Sequence, residues 1–595
     1  MNTMRWRRAR ASAIALATGS LIISGCSSGS NSDDDAKAPG LKDAKANARP
    51  VQFGTKADSK GPAKDVPGAH KGGTLNVYQE NDFSHQDPAQ IYVSDAKQLA
   101  SLIHRGLTTF QEDGKGHTKV VGDLATDPGE KSDGGKTWTY HLKDGIKDQH
   151  GHEITSDDVR HTIERTYANF ITDGPLYVQN WLSGLDYRKK LKGGPYKGKH
   201  LPDSVLGTPD KKTVVFHFKQ PQADLPQALT MPGYAIVPKK DDTKDKYDQK
   251  PTALGPYKIA SFESGKSMKL VRNKEWDPKT DPKRHQYVDG FDISFNHDLD
   301  DQADRLISDK GGAKDGVTFS GQLSGSKIPK AMKQASRRMI QGYQPYVWQL
   351  NMNMYRIKDK KVRDAITYAM PNAQLLRPDG GKFGGEPAGG LLAPTLPGFE
   401  KNYDPYGKVK HPNGQPGKAK KLVKQTHSKG RKLVLAYANT DRRQKQAVII
   451  ADALDRAGFD VQKKEVDNST WYEQMGKIHN KYDIYLTGWG QDWPSANTVF
   501  PPSYDGDKIA DGASNYSHVD DKHVNKEMDR ILNIQDPKKN AAAWRKLHHY
   551  LLEKVNPAVP LYYTKSLQVH GSNVGGVRYS LDQSYADPTR LYLKK

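Results

Sequence analysis

Ser132-Asp133-Gly134-Gly135-Lys136-Thr137-Trp138-Thr139-Tyr140-His141-Leu142-Lys143-Asp144-Gly145-Ile146-Lys147 carries the period of two that a half-buried strand requires. Trp138, Tyr140 and Leu142 share one face. The Gly pair precedes the strand, and Lys143-Asp144-Gly145 turns it, so the stretch reads as an arm of a β-hairpin. Shortly after it, Thr155-Ser156-Asp157-Asp158-Val159 places a hydroxyl N-cap before two acids, the start of a helix.

Further segments follow in an ordered series. Lys71 to Tyr78 reads as a strand entered through a Gly pair. Ser94 to His104 has helical spacing, with Ala96, Leu99, Ala100 and Ile103 on one face. Leu254-Gly255-Pro256-Tyr257, Lys269 to Trp276, Tyr287 to Phe295, Leu350 to Asn353 with Asp359 to Ala369, and Val559 to Tyr563 complete the series. Together with Gly122-Asp123-Leu124-Ala125 and the two motifs above, they resemble the extracellular solute-binding protein family that includes oligopeptide-, dipeptide- and nickel-binding proteins of ABC importers. The resemblance covers Lys71 to Lys595. It implies an α/β fold of the periplasmic-binding-protein-like type II class, with two lobes, a hinge and a subdomain inserted in the first lobe. The expected boundaries are 71–117, 221–298 and 559–595 for lobe I, 118–220 for the insertion and 299–558 for lobe II. The hinge crossings are expected near residues 295–300 and 558–562.

Tyr482 to Pro494 is the stretch with the chemistry. Ile484, Tyr485 and Leu486 open a strand, which is expected to break at Gly488 and Gly490. Trp489 and Trp493 then flank one carboxylate, Asp492. Two readings stay open on these residues alone: a grip for an amine-bearing ligand, or a loop with core tryptophans and Asp492 as a helix cap. The resemblance adds a role. The family's Gly-Trp-x-x-Asp segment supplies the acid that pairs with a peptide's α-ammonium, and Gly488-Trp489-Gly490-Gln491-Asp492 matches it, which carries that role to Asp492. Trp489 and Trp493 are expected as walls, with Tyr485, Trp471 and Trp348 as further contacts. Leu486 stands where some relatives carry an arginine for the ligand carboxylate, so a grip for that end is missing from the motif.

The chain of 595 residues begins as an export signal. Arg5, Arg7, Arg8 and Arg10 precede a short apolar run, Ala11 to Ile23, too short to span a bilayer well. Ile23-Ser24-Gly25-Cys26 resembles a bacterial lipobox, which implies cleavage after residue 25 and a diacylglyceryl group on Cys26. Cys26 is the single cysteine, so no intrachain disulfide forms and no catalytic thiol remains. Residues 26–70 are Ser-, Gly-, Asp-, Lys- and Ala-rich and are expected to be a flexible tether.

Loss of residues 1–25 removes four arginines, and the positive surplus falls from 22 to 18. The lysines are spread along the chain without a basic, aromatic-interleaved helix, so the surplus reads as a solvated surface near an anionic envelope and not as a nucleic-acid site. No His-Glu-x-x-His or phosphate loop occurs, and the Gly-x-Ser-x-Gly pattern falls only at residues 25–29, at the junction of the export signal and the tether. Ser94-x-x-Lys97 lacks a Lys-Thr-Gly partner and reads as a helix face. His150 with His152, and His548 with His549, read as surface histidines, since neither spacing sets two ligands on one helix face. The expectation is a monomeric, cofactor-free, non-enzymatic protein, lipid-anchored on the outer side of the cytoplasmic membrane. It would bind a peptide-like small ligand and serve an ABC permease and ATPase. A peptide or cell-wall hydrolase, a peptide-sensing receptor and a binder of a metal chelate are the alternatives.

Overall fold

Trp138 and Tyr140 are buried while Thr137, Thr139 and His141 face outward, as a period of two requires. The partners of this strand are two. Thr137–His141 pairs antiparallel with Glu130–Ser132 through the Gly134-Gly135 turn, and with Thr213–His217 on its other edge. The turn at Lys143-Asp144-Gly145 leads only to an isolated bridge, Lys147 with Glu153, so the hairpin forms on the N-terminal side of the strand. The helix Ser156–Arg165 starts with a capping box: the Asp158 carboxylate accepts from the Thr155 N–H at 2.9 Å, and the Thr155 side chain caps in return.

The computed structural model describes residues 49–92, 96–113, 117–468 and 470–594, with the backbone of 42–43. Cys26, the export signal, residues 26–41 and 44–48 of the tether, and Ser94 lie outside them. No described helix is long and apolar enough to cross a membrane.

Lobe I is a five-stranded sheet in the order Tyr257–Glu263, Ser267–Arg272, Gly290–Ser294, Thr74–Tyr78, Gly316–Val317. Its core joins Leu75, Val77, Leu99, Ile103, Phe291 and Leu591. The inserted subdomain carries the four-stranded sheet Glu130–Ser132, Thr137–His141, Thr213–His217, Leu206–Asp210, and its core extends to Leu225 and Tyr234, beyond the expected end at 220.

Lobe II is built on a seven-stranded sheet. Its main strands are β1 (Met339–Met352), β2 (Gly385–Pro387), β3 (Lys432–Ala438), β4 (Asp460–Val466), β5 (Ile484–Gly490) and β6 (Ala558–Val569), in the order β2-β6-β1-β5-β3-β4. The backbone of Lys42–Asp43 pairs onto β1. Helix α1 (Asp441–Ala457) connects the parallel β3 and β4 and packs, with Lys360–Ala369 and Pro416–Gln425, on one face of the sheet. The other face is covered by Phe500–Tyr504, Lys522–Leu532 and Pro537–Tyr550.

Three further observations bear on the expected boundaries. Gly316–Val317 still pairs with Asn76–Val77, so the first crossing runs through residues 318–338. Ala558–Val569 is a central strand of lobe II, held along β1, so the chain returns only after it, near Val574. Residues 49–68 lie along the body: Gln52–Phe53 pairs with Lys119–Val120, and Val51 and Val66 are buried. The two valines bury apolar surface, the buried Ser59 hydroxyl accepts from the Gly122 N–H at 2.9 Å, and the Val66 N–H donates to the Tyr287 hydroxyl at 2.9 Å.

Candidate functional site between the lobes

The site begins with the parity of two strands. β5 pairs antiparallel with β1, placing Gly490 opposite Tyr346, Trp489 opposite Val347 and Gly488 opposite Trp348. The strand does not break at its glycines. A Cβ on Gly490 would meet Cε1 of Tyr346 at 2.5 Å, and one on Gly488 would meet Cδ2 of Trp348 at 3.2 Å. The two glycines therefore clear the space in which those rings lie beside β5. Trp489, one residue out of phase, faces the other way. Its indole packs on the helical core that contains Val347 and Trp544, and it donates to the Thr498 carbonyl at 2.9 Å.

Asp492 follows directly after the strand and reaches across the molecule. Its Oδ2 accepts from the Tyr92 hydroxyl of lobe I at 3.1 Å and from the Tyr177 hydroxyl of the inserted subdomain. Removal from water pushes the Asp492 carboxyl up to about 6, opposed by the two phenol hydrogen bonds. Asp87 caps the turn Pro88–Gln90 and receives both guanidinium nitrogens of Arg165, at 2.9 and 2.7 Å, in a fully buried pair.

Trp493 crosses the same gap. Its ring lies in the core of the inserted subdomain, 4.6 Å from Tyr177 and 6.2 Å from Trp181 between centroids. Its indole N–H donates to Asp224 at 2.8 Å, and Asn497 donates to the same oxygen at 2.8 Å. Asn497 in turn accepts from Trp544 at 2.6 Å, so a hydrogen-bonded chain links the lobe II core to the insertion.

Two cavities adjoin these groups. One of about 90 Å³ is lined by Tyr92, Lys97, Tyr346, Asp492, Trp493 and Asp582. Lys97 is tied to Asp582 at 3.0 Å. The other, of about 330 Å³, is lined by Tyr346, Trp348, Asp379, Arg442, Tyr472 and Lys565 among others. Tyr346 borders both.

The arrangement is that of a cleft in which phenols and aromatic walls surround Asp492. A model of the bacterial extracellular solute-binding proteins, family 5 (middle region), matches residues 119–511. The chain belongs to that family. Relatives of this family-5 protein include the oligopeptide-binding protein OppA of Bacillus subtilis, 22% identical over 85% of this chain and 90% of the relative. The di/tripeptide-binding protein 1 of Pseudomonas aeruginosa is 25% identical over 83% and 89%. Among solved structures, the clavulanic acid biosynthesis oligopeptide binding protein 2 aligns with a TM-score of 0.80 at 26% identity, covering 91% of this chain and all of that one. The oligopeptide-binding protein AppA of Bacillus subtilis, solved with a nonapeptide, aligns at 0.65 with 19% identity over 89% and 100%. These are type II periplasmic binding proteins, and the fold of this family-5 chain is theirs.

The structure brings Asp492, Trp493 and Trp348 to the cleft and leaves the other expected residues outside it. Tyr485, at an odd-numbered position of β5 and so facing away from the Trp348 side, is buried in a separate small core with Met475, Tyr516 and Trp471, the last from the short helix Trp471–Met475. Trp489 is turned away for the same reason. Leu486 is buried against Leu350. His548 is not on the surface: it is buried beside Phe500 and accepts from the Leu391 N–H at 2.8 Å, while His549 stacks on Tyr403. His152 lies 3.1 Å from Asp148 on one ring nitrogen and 3.0 Å from the Lys240 ammonium on the other. Tyr92, Tyr177, Asp224, Tyr346 and Arg442 had no motif to mark them. The glycine at every second position of β5 was the one local sign that large rings lie beside it.

Proposed function

We propose that this protein is the substrate-binding component of an ABC importer, held by a lipid on Cys26 at the outer side of the cytoplasmic membrane. It captures peptides or peptide-like cations between its lobes and hands them to a permease, without changing them chemically. The observation that carries the reading is Asp492: a partly buried carboxylate at the lobe interface whose Oδ2 is met by two neutral phenols. An ammonium there forms a charge-assisted hydrogen bond, stronger than a neutral one, and a ligand lacking it leaves a desolvated acid unpaired. The peptide-binding names of the relatives support the ligand class. Trp493 and Asp224 supply the contact that a closed, ligand-holding state needs, and a permease can distinguish that state only if the ligand prefers it.

The test is native mass spectrometry of the protein purified from its own cells, followed by calorimetry with the released compound. One amine-bearing compound per chain, recovered unchanged, is the expected result. Steady conversion of that compound to products would replace the reading with a hydrolase.

A further inference from the structure

Residues 405–440 hold nine Lys and Arg and no Asp or Glu, in a chain with 69 acids. Five of the lysines stand on the helix Pro416–Gln425 and on the turn that leads from it into β3. In the helix, Ala419 and Val423 pack inward, which turns Lys420, Lys421 and Lys424 to solvent. Lys429 and Lys432 are exposed after it. The Arg431 guanidinium donates to the Arg356 carbonyl at 2.6 Å, which sets this turn beside the exposed Lys358. Lysines on other helices have an acid one turn away: Lys360 pairs with Asp364, Lys445 with Asp441 and Lys477 with Glu473. Among the described residues, Lys420, Lys421, Lys424, Lys429 and Lys432 have no carboxylate partner. Like charges at 420 and 424, and at 421 and 424, disfavour the helix. The fold therefore carries a local repulsion that no acid of the described chain offsets.

We propose that this cationic face lies against the anionic surface of a lipid bilayer. The proposal rests on the anchor at Cys26 in the reading above. From Cys26 to Arg49 the chain spans at most about 80 Å even when fully extended, so the body stays close to the membrane that holds it. Shape and chemistry choose the partner. None of these lysines lines either cavity of the cleft, so no pocket awaits a small anion. Residues 416–432 contain no Phe, Tyr or Trp on which a base could stack. Lysine ammoniums are compact, hydrated point charges, suited to diffuse attraction by many headgroup phosphates, whereas two-point contact with a single anion calls for arginine. The one arginine of the stretch, Arg431, is held by a carbonyl. Resting on this face turns lobe II to the bilayer and narrows the orientations in which the body meets an integral membrane partner.

The test uses the protein purified from its own membranes and reconstituted on two sets of vesicles, phosphatidylcholine alone and phosphatidylcholine with one-third phosphatidylglycerol. Lysines are acetylated with a water-soluble ester and read one by one by mass spectrometry. Lys420, Lys421, Lys424 and Lys429 are expected to react about threefold more slowly on the anionic vesicles in 0.1 M salt. In 0.5 M salt, where the screening length is about 4 Å, the two sets should give equal rates. The exposed Lys190 of the insertion and Lys274 of lobe I should react alike on both at either salt. Equal rates at the four lysines, or a slowing shared equally by Lys190 and Lys274, overturns the proposal. Protection that appears only in native membranes also overturns it, since it assigns the face to a protein partner. Flotation with the neutral vesicles reads the anchor separately. Failure to float there refutes the lipid on Cys26; flotation and labelling on the anionic set then decide the face alone, and absence of both overturns it. Every comparison uses the unaltered chain, so none depends on a variant folding.

Discussion

The indole N–H of Trp493 donates to the carboxylate of Asp224 at 2.8 Å, joining residues 269 positions apart in the chain and on opposite sides of the cleft. Trp493→Phe keeps a ring in the core of the insertion but leaves Asp224 short of a donor. A lost hydrogen bond to a buried charged group costs about 1–3 kcal/mol. The ligand-free variant is expected to open, seen as a larger radius of gyration in small-angle scattering. An unchanged radius would show that this contact does not hold the lobes.

Affinity for an amine-bearing ligand should depend on pH through Asp492. Its carboxyl is raised to about 6 in the structure, above the ordinary 3.8, by burial. A raised acid stabilises the ligand-free form fully below pH 3.8, and that contribution is lost as pH rises through about 6. An ammonium needs the ionised form, so its binding expels the proton. Affinity is expected to be greatest near pH 7, to fall by about tenfold per unit below 6, and to fall again above about 8, where a peptide α-amino group loses its proton. Asp492→Asn should abolish the fall below 6 and weaken the ligand; calorimetry between pH 5 and 8 reads both.

Gly490→Ala is the smallest change that should damage the cleft. The added methyl carbon meets Tyr346 at 2.5 Å, closer than any stable contact, so the ring must move. Forced repacking of this kind costs about 1–3 kcal/mol. A lower melting temperature with weaker ligand binding is expected. At Gly488 the corresponding distance to Trp348 is 3.2 Å, and the effect of Gly488→Ala should be smaller.

His548 sets an acid limit on stability. Burial lowers it to about 3 from 6.5, and its Nε2 must stay unprotonated to accept from Leu391. The unfolded chain protonates near 6.5 and the folded one does not, so this contribution is complete above 6.5 and is lost as pH falls toward 3. Linkage at about 1.4 kcal/mol per unit predicts a loss of roughly 2 kcal/mol between pH 7 and 5. Urea unfolding of His548→Gln, which keeps an acceptor but not the titration, should show a shallower slope.

Cys26→Ala should release the protein from membranes into the soluble fraction, since a diacylglyceryl group is the anchor proposed for it. Two buried acyl chains at about 0.8 kcal/mol per methylene hold far better than a protein surface alone. Full retention of the variant in the membrane pellet would refute the anchor.

The strand at Thr137–His141, the capped helix after Thr155 and the acid after Gly488-Trp489-Gly490 were readable because each is local: alternation, a cap and a turn are set by neighbours within a few residues. They were enough for the family, and the family carried the fold and Asp492. The same local rules did not show which way Trp489 and Tyr485 face. Which face of a strand meets the cleft depends on the strand beside it, and only the pairing of β5 with β1 turned Trp489 inward and left the Trp348 side open. The partners of Asp492 were beyond reach for a stronger reason. Tyr92 and Tyr177 lie 400 and 315 positions away, on separate parts of the chain that meet only when the lobes do. Sequence alone placed an acid directly after Gly488-Trp489-Gly490, the acid proposed to meet an amine. Tertiary structure decided what surrounds that acid, because desolvation and the placing of donors arise from residues brought together by folding.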